Sequence, residues 1–228
     1  MKPEKRSFTF EVRAEENESG KIITGRPIVY DSKTDIGGFD EIIERGALDN
    51  TDLTDVRFLV NHDTSRIPLA RSRRNNGNST MQLMVDEAGM AIRVLLDTEN
   101  NTEARALYSA VQRGDISGMS FMFWADEDRW DDLDSDHPTR HILSISNIVE
   151  VSAVTFPAYE STEINARSAE ALESAQSVLD RAREQRAKDL SVDTDEINLL
   201  KEKTKTIILG GKKLSLDRKS GSAGMPRP

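Results

Sequence analysis

The distribution of aromatic residues limits where this chain can build a hydrophobic core. All of its Phe, Trp and Tyr residues lie at or before Tyr159. The charge changes sign at about the same place: residues 1–165 hold 18 Lys/Arg against 30 Asp/Glu, and residues 166–228 hold 13 against 10. A segment without aromatic residues is poorly suited to form a core of its own. We therefore predict one folded domain over residues 1–166 and a separate tail over residues 167–228.

Short segments with a strand-like pattern dominate the predicted domain. Residues 7–13 alternate apolar and polar side chains, which predicts one half-buried strand. A second strand is expected at 22–30, and a hairpin is expected where two apolar runs, 81–85 and 90–96, flank a turn. Further strands are predicted at 56–60, 120–124 and 142–156. Many strands with few helices indicate a mainly β, α+β fold built as a barrel or a curled sheet.

One helix is predicted inside the domain, at residues 101–113. Its apolar residues recur at helical spacing, and Gly114 follows as a stop signal. They are Ala104, Leu107, Tyr108 and Val111. Residues 125–138 carry seven Asp/Glu and lack the ligand order of a calcium loop, so we expect an exposed loop or hairpin tip there.

The tail has a different composition. Residues 166–190 are rich in Ala, Glu, Arg and Gln, which predicts a helix. A weak apolar stripe runs along it: Leu172, Ala175, Val178, Leu179 and Ala182. Such a stripe is compatible with packing on the domain or with binding a partner during assembly. Residues 210–228 are rich in Gly, Ser, Lys and Pro and are predicted to be disordered.

Composition excludes several classes of function. The chain has no cysteine, so disulfides, thiolate metal sites and thiol catalysis are ruled out. Its net charge of −9 argues against general nucleic-acid binding. No apolar run approaches the ~20 residues of a membrane-spanning helix, and no signal-peptide pattern follows Met1. No cofactor is expected.

Two segments carry the residues of a candidate serine hydrolase site. An apolar run ends at His62, and a glycine-punctuated run places Ser120 among apolar residues. Serine chemistry needs a hydroxyl, a base and a group that orients the base. Only three histidines are present, so one of them would be the base. By position alone, His62 is more typical of a polar loop residue and Ser120 of a small core residue, and Ser117 is a rival nucleophile.

Glu150 is a candidate for the orienting group. It interrupts an apolar run at 145–154, where an unpaired carboxylate costs several kcal/mol. It must therefore face solvent or have a partner, and a histidine is one such partner.

The two other histidines suggest a metal site only weakly. His137 and His141 flank Pro138 beside the acidic segment, where Asp134 or Asp136 could join them. Their spacing matches no strong metal motif, so we predict no metal.

Five short sequence motifs, and the order in which they occur, add to these signals. They resemble, in the same order and over about residues 7–167, the prohead (capsid maturation) serine protease family of tailed phages. The motifs are FDEIIERGAL at 39–48, FLVNHD at 58–63, PLAR at 68–71, GDISGMSF at 114–121 and EVSAVTFPAY at 150–159. The chain departs from the family at Met122, where the family usually has a glycine.

The resemblance implies a fold like that of the herpesvirus assemblin proteases, a β-barrel with a few flanking helices. It implies a serine endopeptidase with His62 as base, Ser120 as nucleophile and Glu150 as the third member. The implied substrates are the scaffolding segment of the major capsid protein and the enzyme itself. The implied location is the host cytoplasm, inside the procapsid. From the change in composition and charge after residue 166, we further predict that the tail acts in targeting and is removed by self-processing.

Two alternatives and one property stay open. A protease-like domain could serve as a non-catalytic assembly or scaffolding factor whose tail binds capsid protein. A hydrolase of another substrate on the same fold would show the same residues. The sequence also leaves self-association into a homo-oligomer open, while membrane and nucleic-acid partners are not expected.

Overall fold

The protein is described from a computed structural model. The described residues are 3–8, 12–74, 77–155, 172–191 and 197–200. The chain divides into two compact units, Met1–Asp180 and Arg181–Pro228. The domain boundary expected near residue 166 and the disorder expected at 210–228 both lie outside the described residues, and so stay predictions. None of the described helices combines the length and the apolar character that crossing a membrane requires.

The first unit is mainly β, as the sequence predicts. Its named elements, in chain order, are β1 (Glu4–Phe8), β2 (Val12–Asn17), β3 (Gly20–Val29), β4 (Thr34–Asp35), β5 (Asp40–Ile43), β6 (Asp55–Val60), β7 (Ala70–Arg73), β8 (Met81–Asp86), β9 (Gly89–Leu96), α1 (Thr102–Arg113), β10 (Gly118–Asp131) and β11 (Thr139–Val154). A further helix, α2, covers 172–191, of which the part up to Asp180 belongs to the first unit. Residues 197–200, in the second unit, are also helical.

The strands form two sheets. The seven-stranded sheet runs β1-β10-β11-β5-β4, and β6 pairs with both β11 and β7. Strand β11 is long enough to pair in parallel with β5 near its start and with β6 near its end. The four-stranded sheet runs β2-β3-β9-β8. Among the described residues, the strand pairings form these two open sheets and close no ring.

One hydrophobic core joins both sheets and α1. Ile23 and Ile92 come from the smaller sheet, Phe58 and Phe121 from the larger, and all four are essentially inaccessible to solvent. The helix contributes the face that its sequence predicts: Ala104, Leu107, Tyr108 and Val111. Burial of apolar area from both sheets and the helix stabilises the domain.

The ends of α1 follow local rules that are readable in the sequence. Asn101 is the N-cap, and its side-chain oxygen accepts hydrogen bonds from the backbone N–H groups of Glu103 and Ala104. Gly114 ends the helix in the left-handed region, with φ of 79°, a conformation that favours glycine. The segment after the helix therefore leads directly into β10.

Two expectations about strands need correction. A single strand over 7–13 is wrong, because β1 and β2 are separate strands that belong to different sheets. Strand β1 starts at Glu4 and directs charged side chains inward, so its apolar alternation does not mark its bounds. The acidic segment forms a hairpin, one of its two predicted forms, but the tip is shorter than residues 125–138, because β10 continues to Asp131, which pairs with Thr139.

The beginning of α2 packs within the first unit. Ala175, Val178 and Leu179 of the predicted stripe are buried, whereas Leu172 is partly exposed. The side chains of Leu172 and Leu179 approach Gly37 and Gly38. Up to Asp180, this helix therefore contributes buried apolar area to the first unit.

Candidate active site

Three neighbouring strands bring the predicted site residues together. Strand β11 lies between β10 and the end of β6. Its pairing sets Ser152 opposite Ser120 of β10 and, on the other side, next to Leu59 of β6. Residues separated by two positions on a strand share one face, so Glu150 and Ser152 lie on one face of β11. The chain leaving β6 can then fold over that face.

The histidine is held by a strained turn at the end of β6. Asn61 and His62 both have positive φ, 54° and 58°, in a region that non-glycine residues seldom adopt. The Asn61 backbone N–H donates to the Ala153 carbonyl at 2.9 Å, and its side-chain oxygen accepts from the Thr155 backbone N–H at 3.0 Å. These bonds fasten the turn to the end of β11 and offset the cost of its conformation.

A chain of hydrogen bonds connects Ser120, His62 and Glu150. The Ser120 Oγ lies 2.6 Å from His62 Nε2, and His62 Nδ1 lies 2.5 Å from Glu150 Oε1. If Nδ1 donates to the carboxylate, Nε2 is left as the acceptor for the serine hydroxyl. This is the order that a serine nucleophile, a base and an orienting acid require.

Ser152 completes the support of this chain, although the sequence reasoning gave it no role. Its hydroxyl donates to Glu150 Oε2 at 2.5 Å and accepts from the His62 backbone N–H at 3.0 Å. Glu150 is 1% exposed, and both of its carboxylate oxygens have partners. The signal was the spacing of Glu150 and Ser152, which predicts a shared face once the strand is known.

Strand β1 covers the serine. It pairs antiparallel with β10, with Ser7 opposite Ser120. The Ser120 hydroxyl, which is inaccessible to solvent, lies 2.7 Å from the carbonyl oxygen of Arg6. The hydroxyl has one proton, so it can donate to this carbonyl or to His62 Nε2 but not to both. A segment of the chain itself therefore lies in extended form against the candidate nucleophile.

Two side chains of β1, those of Glu4 and Arg6, enter a buried ionic cluster on the face opposite Ser120. Arg6 Nε and Nη2 donate to the two carboxylate oxygens of Glu41 at 2.5 and 2.7 Å. Arg140 donates to Glu4 at 2.6 Å and to Glu41 at 3.0 Å. Burial by itself lowers the pKa of Arg6, but the charges of Glu41 and Glu4 outweigh it and the pKa is raised. The cluster is neutral in sum and ties β1 to β5 and β11.

The other sequence candidates lie elsewhere. Ser117 is exposed and precedes β10. His137 lies 3.1 Å from Asp40 and 3.8 Å from Asp35, and His141 pairs with Glu44 at 2.6 Å and with Asp131 at 3.1 Å. Both histidines therefore pair with carboxylates other than the two that the sequence suggested. Within the described part of the chain, one group could offer three ligand atoms to a metal: Asp35, Asp40 and His137.

Comparison with known proteins agrees with the family resemblance that the five sequence motifs carry. Residues 8–176 match the family described as Caudovirus prohead serine protease. The chain belongs to this family. Membership makes it a peptidase of the phage capsid-maturation class.

Among solved structures, the bacteriophage T4 capsid assembly protease, gp21, is similar at 12% identity with a TM-score of 0.34. The similarity covers 66% of this chain and 98% of the T4 protein. No curated protein matches the chain.

Proposed function

We propose that this family member is a serine endopeptidase with Ser120 as nucleophile, His62 as general base and Glu150 as the group that orients the base. The observation that carries the proposal is the unbroken chain of short contacts from Ser120 Oγ through the His62 ring to Glu150. The burial of Glu150 supports it further, because a low-dielectric environment strengthens the interaction of the carboxylate with a protonated imidazole.

The chemical steps follow from these positions. Ser120 Oγ attacks the peptide carbonyl carbon while His62 Nε2 takes the hydroxyl proton, and backbone N–H groups stabilise the oxyanion. His62 then gives the proton to the leaving amine, and the C–N bond breaks to leave an acyl-serine. Water, deprotonated by His62, attacks the ester and releases the carboxylic acid with Ser120 restored. Glu150 holds the Nδ1–H tautomer throughout.

We propose the capsid precursor as the external substrate. Family membership supports the removal of a scaffolding segment from the major capsid protein. This cleavage would take place within the procapsid, in the host cytoplasm, where the enzyme and the precursor are enclosed together.

Self-cleavage is supported by a contact that the sequence did not suggest. Strand β1 lies in the extended form that proteases generally bind, and the Arg6 carbonyl lies at the Ser120 hydroxyl. We propose that the Arg6–Ser7 bond is cut by the enzyme itself and that β1 then leaves the site. Until that happens, the strand keeps Ser120 from other substrates.

The tail is proposed to direct the enzyme into the procapsid and to be cut away there. Because Ala175, Val178 and Leu179 are buried in the first unit, the informative truncation is after Asp180 and not earlier. A chain ending at Asp180 is expected to cleave capsid protein in vitro but to be missing from assembled procapsids. Packaging equal to that of the full chain would overturn the targeting role.

The decisive experiment is co-expression with the cognate capsid protein, followed by intact-mass analysis of that protein. Wild type and Ser117→Ala are expected to shorten it, and Ser120→Ala to leave it whole, since loss of a triad serine costs on the order of 10⁶-fold in turnover. Capsid protein that stays whole with wild type would instead favour a non-catalytic assembly factor. The reverse pattern between the two serine variants would reassign the nucleophile.

A further inference from the structure

The buried ionic cluster is divided between β1 and the rest of the larger sheet, which a cluster that only stabilises the fold does not require. Half of it comes from the strand that lies against the candidate nucleophile, and half comes from the body of the sheet. Arg6 and Glu4 belong to β1, whereas Glu41 lies on β5 and Arg140 on β11. If β1 leaves the site, Glu41 and Arg140 remain behind.

The positions of the two β1 side chains relative to Ser120 are fixed by strand geometry. The Arg6 carbonyl meets Ser120 Oγ, so Arg6 is the residue before the bond nearest the nucleophile. Arg6 pairs with Phe121 and Glu4 with Phe123, so both side chains fall on the face opposite Ser120. That face is the interior, where the Arg6 side chain is fully buried.

The interior site is matched to the charge and shape of an arginine. Glu41 receives both Nε and Nη2 of Arg6, the paired geometry in which a guanidinium recognises a carboxylate. The guanidinium carbon also lies 5.6 Å from the centre of the Phe123 ring. The carboxyl side chain of Glu41 is 1% exposed, so water offers little substitute for a missing partner.

Arg140 is placed to recognise the acidic residue two positions earlier. Its Nη1 donates to Glu4 Oε2 at 2.6 Å and its Nη2 to Glu4 Oε1 at 3.1 Å. It also contacts Glu41 at 3.0 Å and Asp128 at 2.6 Å, so it stays paired when Glu4 is absent. The free-energy cost of removing Glu4 from Arg140 is therefore moderate, as a site that binds one peptide segment after another requires.

We propose that Glu41 and Arg140 form the specificity pocket of this peptidase, which selects extended segments of the form Glu-x-Arg and cuts after the arginine. The inference rests on the proposed function and deepens it: β1 is the first occupant of the pocket, and segments of other chains follow. Glu41 recognises the arginine before the scissile bond, and Arg140 recognises the glutamate two residues ahead of it.

The test uses quenched fluorescent peptides that carry the sequence of residues 2–11 and the purified full chain. Replacing the peptide arginine by glutamine is expected to lower kcat/KM about 100-fold, the scale of a lost pair of charge-assisted hydrogen bonds. Replacing the peptide glutamate by glutamine is expected to lower it about 10-fold, because the matching contact is less enclosed. An arginine-to-lysine peptide keeps the charge but loses the paired hydrogen bonds to Glu41, so its kcat/KM should fall between the values for the arginine and glutamine peptides.

Enzyme variants then assign each preference to its residue. In Glu41→Gln the ratio of kcat/KM between the arginine and glutamine peptides should fall from about 100 to below about 10. Arg140→Gln should reduce mainly the kcat/KM ratio between the glutamate and glutamine peptides. Because Glu41 and Arg140 are in contact, each change should also have a smaller effect on the other ratio. The matched controls are Glu44→Gln and Arg129→Gln, the same changes at residues that contact His141 and Asp131, and both should keep the wild-type ratios.

If wild type cleaves all the peptides at similar rates, or cuts after a different residue, the pocket proposal is wrong while the proposed function stands. If no peptide is cut and the chain leaves its own β1 intact, both proposals fail. A thermal melt shows whether Glu41→Gln folds. If it does not, the preference is still tested by the kcat/KM ratios of the wild-type enzyme on the peptides. It is also tested by self-cleavage of the full chain, since Arg6→Lys should be cut and Arg6→Gln should be cut only slowly.

Discussion

Replacement of Glu150 by glutamine is the most informative change to the proposed mechanism. Glutamine keeps the size and shape of the side chain but removes its charge. At present one carboxylate oxygen lies 2.5 Å from His62 Nδ1 and the other accepts from the Ser152 hydroxyl. An amide can satisfy both neighbours only if its oxygen faces the ring. The opposite orientation places an NH₂ group against Nδ1 and favours the tautomer that cannot accept the serine proton.

The size of the effect can be worked out from the same geometry. At about 4 Å between charges and an effective dielectric constant of about 20, the carboxylate stabilises a protonated imidazole by about 4 kcal/mol, or about 10³-fold in rate. Loss of the correct tautomer brings the observed cost elsewhere to about 10⁴-fold. We therefore expect Glu150→Gln to lower kcat by about 10³- to 10⁴-fold, with little change in KM.

The assay is steady-state cleavage of the peptide that spans Arg6 and Ser7, with thermal unfolding measured in parallel. Glu44→Gln is the matched control, since Glu44 also pairs with a histidine, His141 at 2.6 Å, but lies outside the site. It should retain full activity. A loss of less than about tenfold in a folded Glu150→Gln variant would contradict the orienting role.

Three smaller predictions concern the support of the site and the stability of the fold. Ser152→Ala removes one partner from the carboxylate and one from the histidine turn, and should lower kcat about 10- to 100-fold while leaving KM unchanged. Hydrogen bonds from Arg26 and from a backbone N–H lower the pKa of Asp86 to about 2, so its stabilising effect is present above the unfolded pKa of about 3.9 and is lost as the pH falls towards 2. Asp86→Asn should therefore unfold at lower urea concentration than wild type at pH 6 but not at pH 2. Gly89→Ala should lower the melting temperature strongly, since the φ of Gly89 is 132° and a Cβ there would clash with the Ile28 carbonyl oxygen. In the control Gly77→Ala the added Cβ meets no atom within 4 Å, so the melting temperature should not fall. Equal melting temperatures for the two variants would refute the steric argument.

Local signals in the sequence account for much of the fold. The capped helix α1 and the hairpin of β8 and β9 are each set by residues close together in the chain. The mainly β class is confirmed. These elements were predictable because capping, alternation and turn chemistry depend on near neighbours.

The role of β1 could not be read in the same way. Arg6 reaches Glu41 across 35 positions, and Glu4 reaches Arg140 across 136. Charged residues are seldom buried, so a sequence pattern assigns all four to the surface. Only the three-dimensional arrangement shows that they neutralise one another inside the fold.

The candidate site likewise contains residues that the sequence predicts and residues that it does not. The sequence selects His62, Ser120 and Glu150 as candidates, and the structure places them within hydrogen-bonding distance of one another. Their catalytic roles stay predictions. Ser152 was missed because a serine beside a strand glutamate is common, and its double contact depends on where the β6 turn falls. The covering strand was missed because nothing local marks a segment as a ligand of its own chain.

The most direct test of the account is the intact mass of the purified full chain itself. Wild type and Ser117→Ala are expected to lose residues 1–6 and begin at Ser7, whereas Ser120→Ala and Glu150→Gln should keep them. This pattern requires the nucleophile, its orienting acid and the strand that lies against them to act as the structure suggests. Residues 1–6 that remain in wild type would contradict self-cleavage at the Arg6–Ser7 bond, and residues 1–6 lost equally from Ser120→Ala would contradict the claim that Ser120 is the nucleophile.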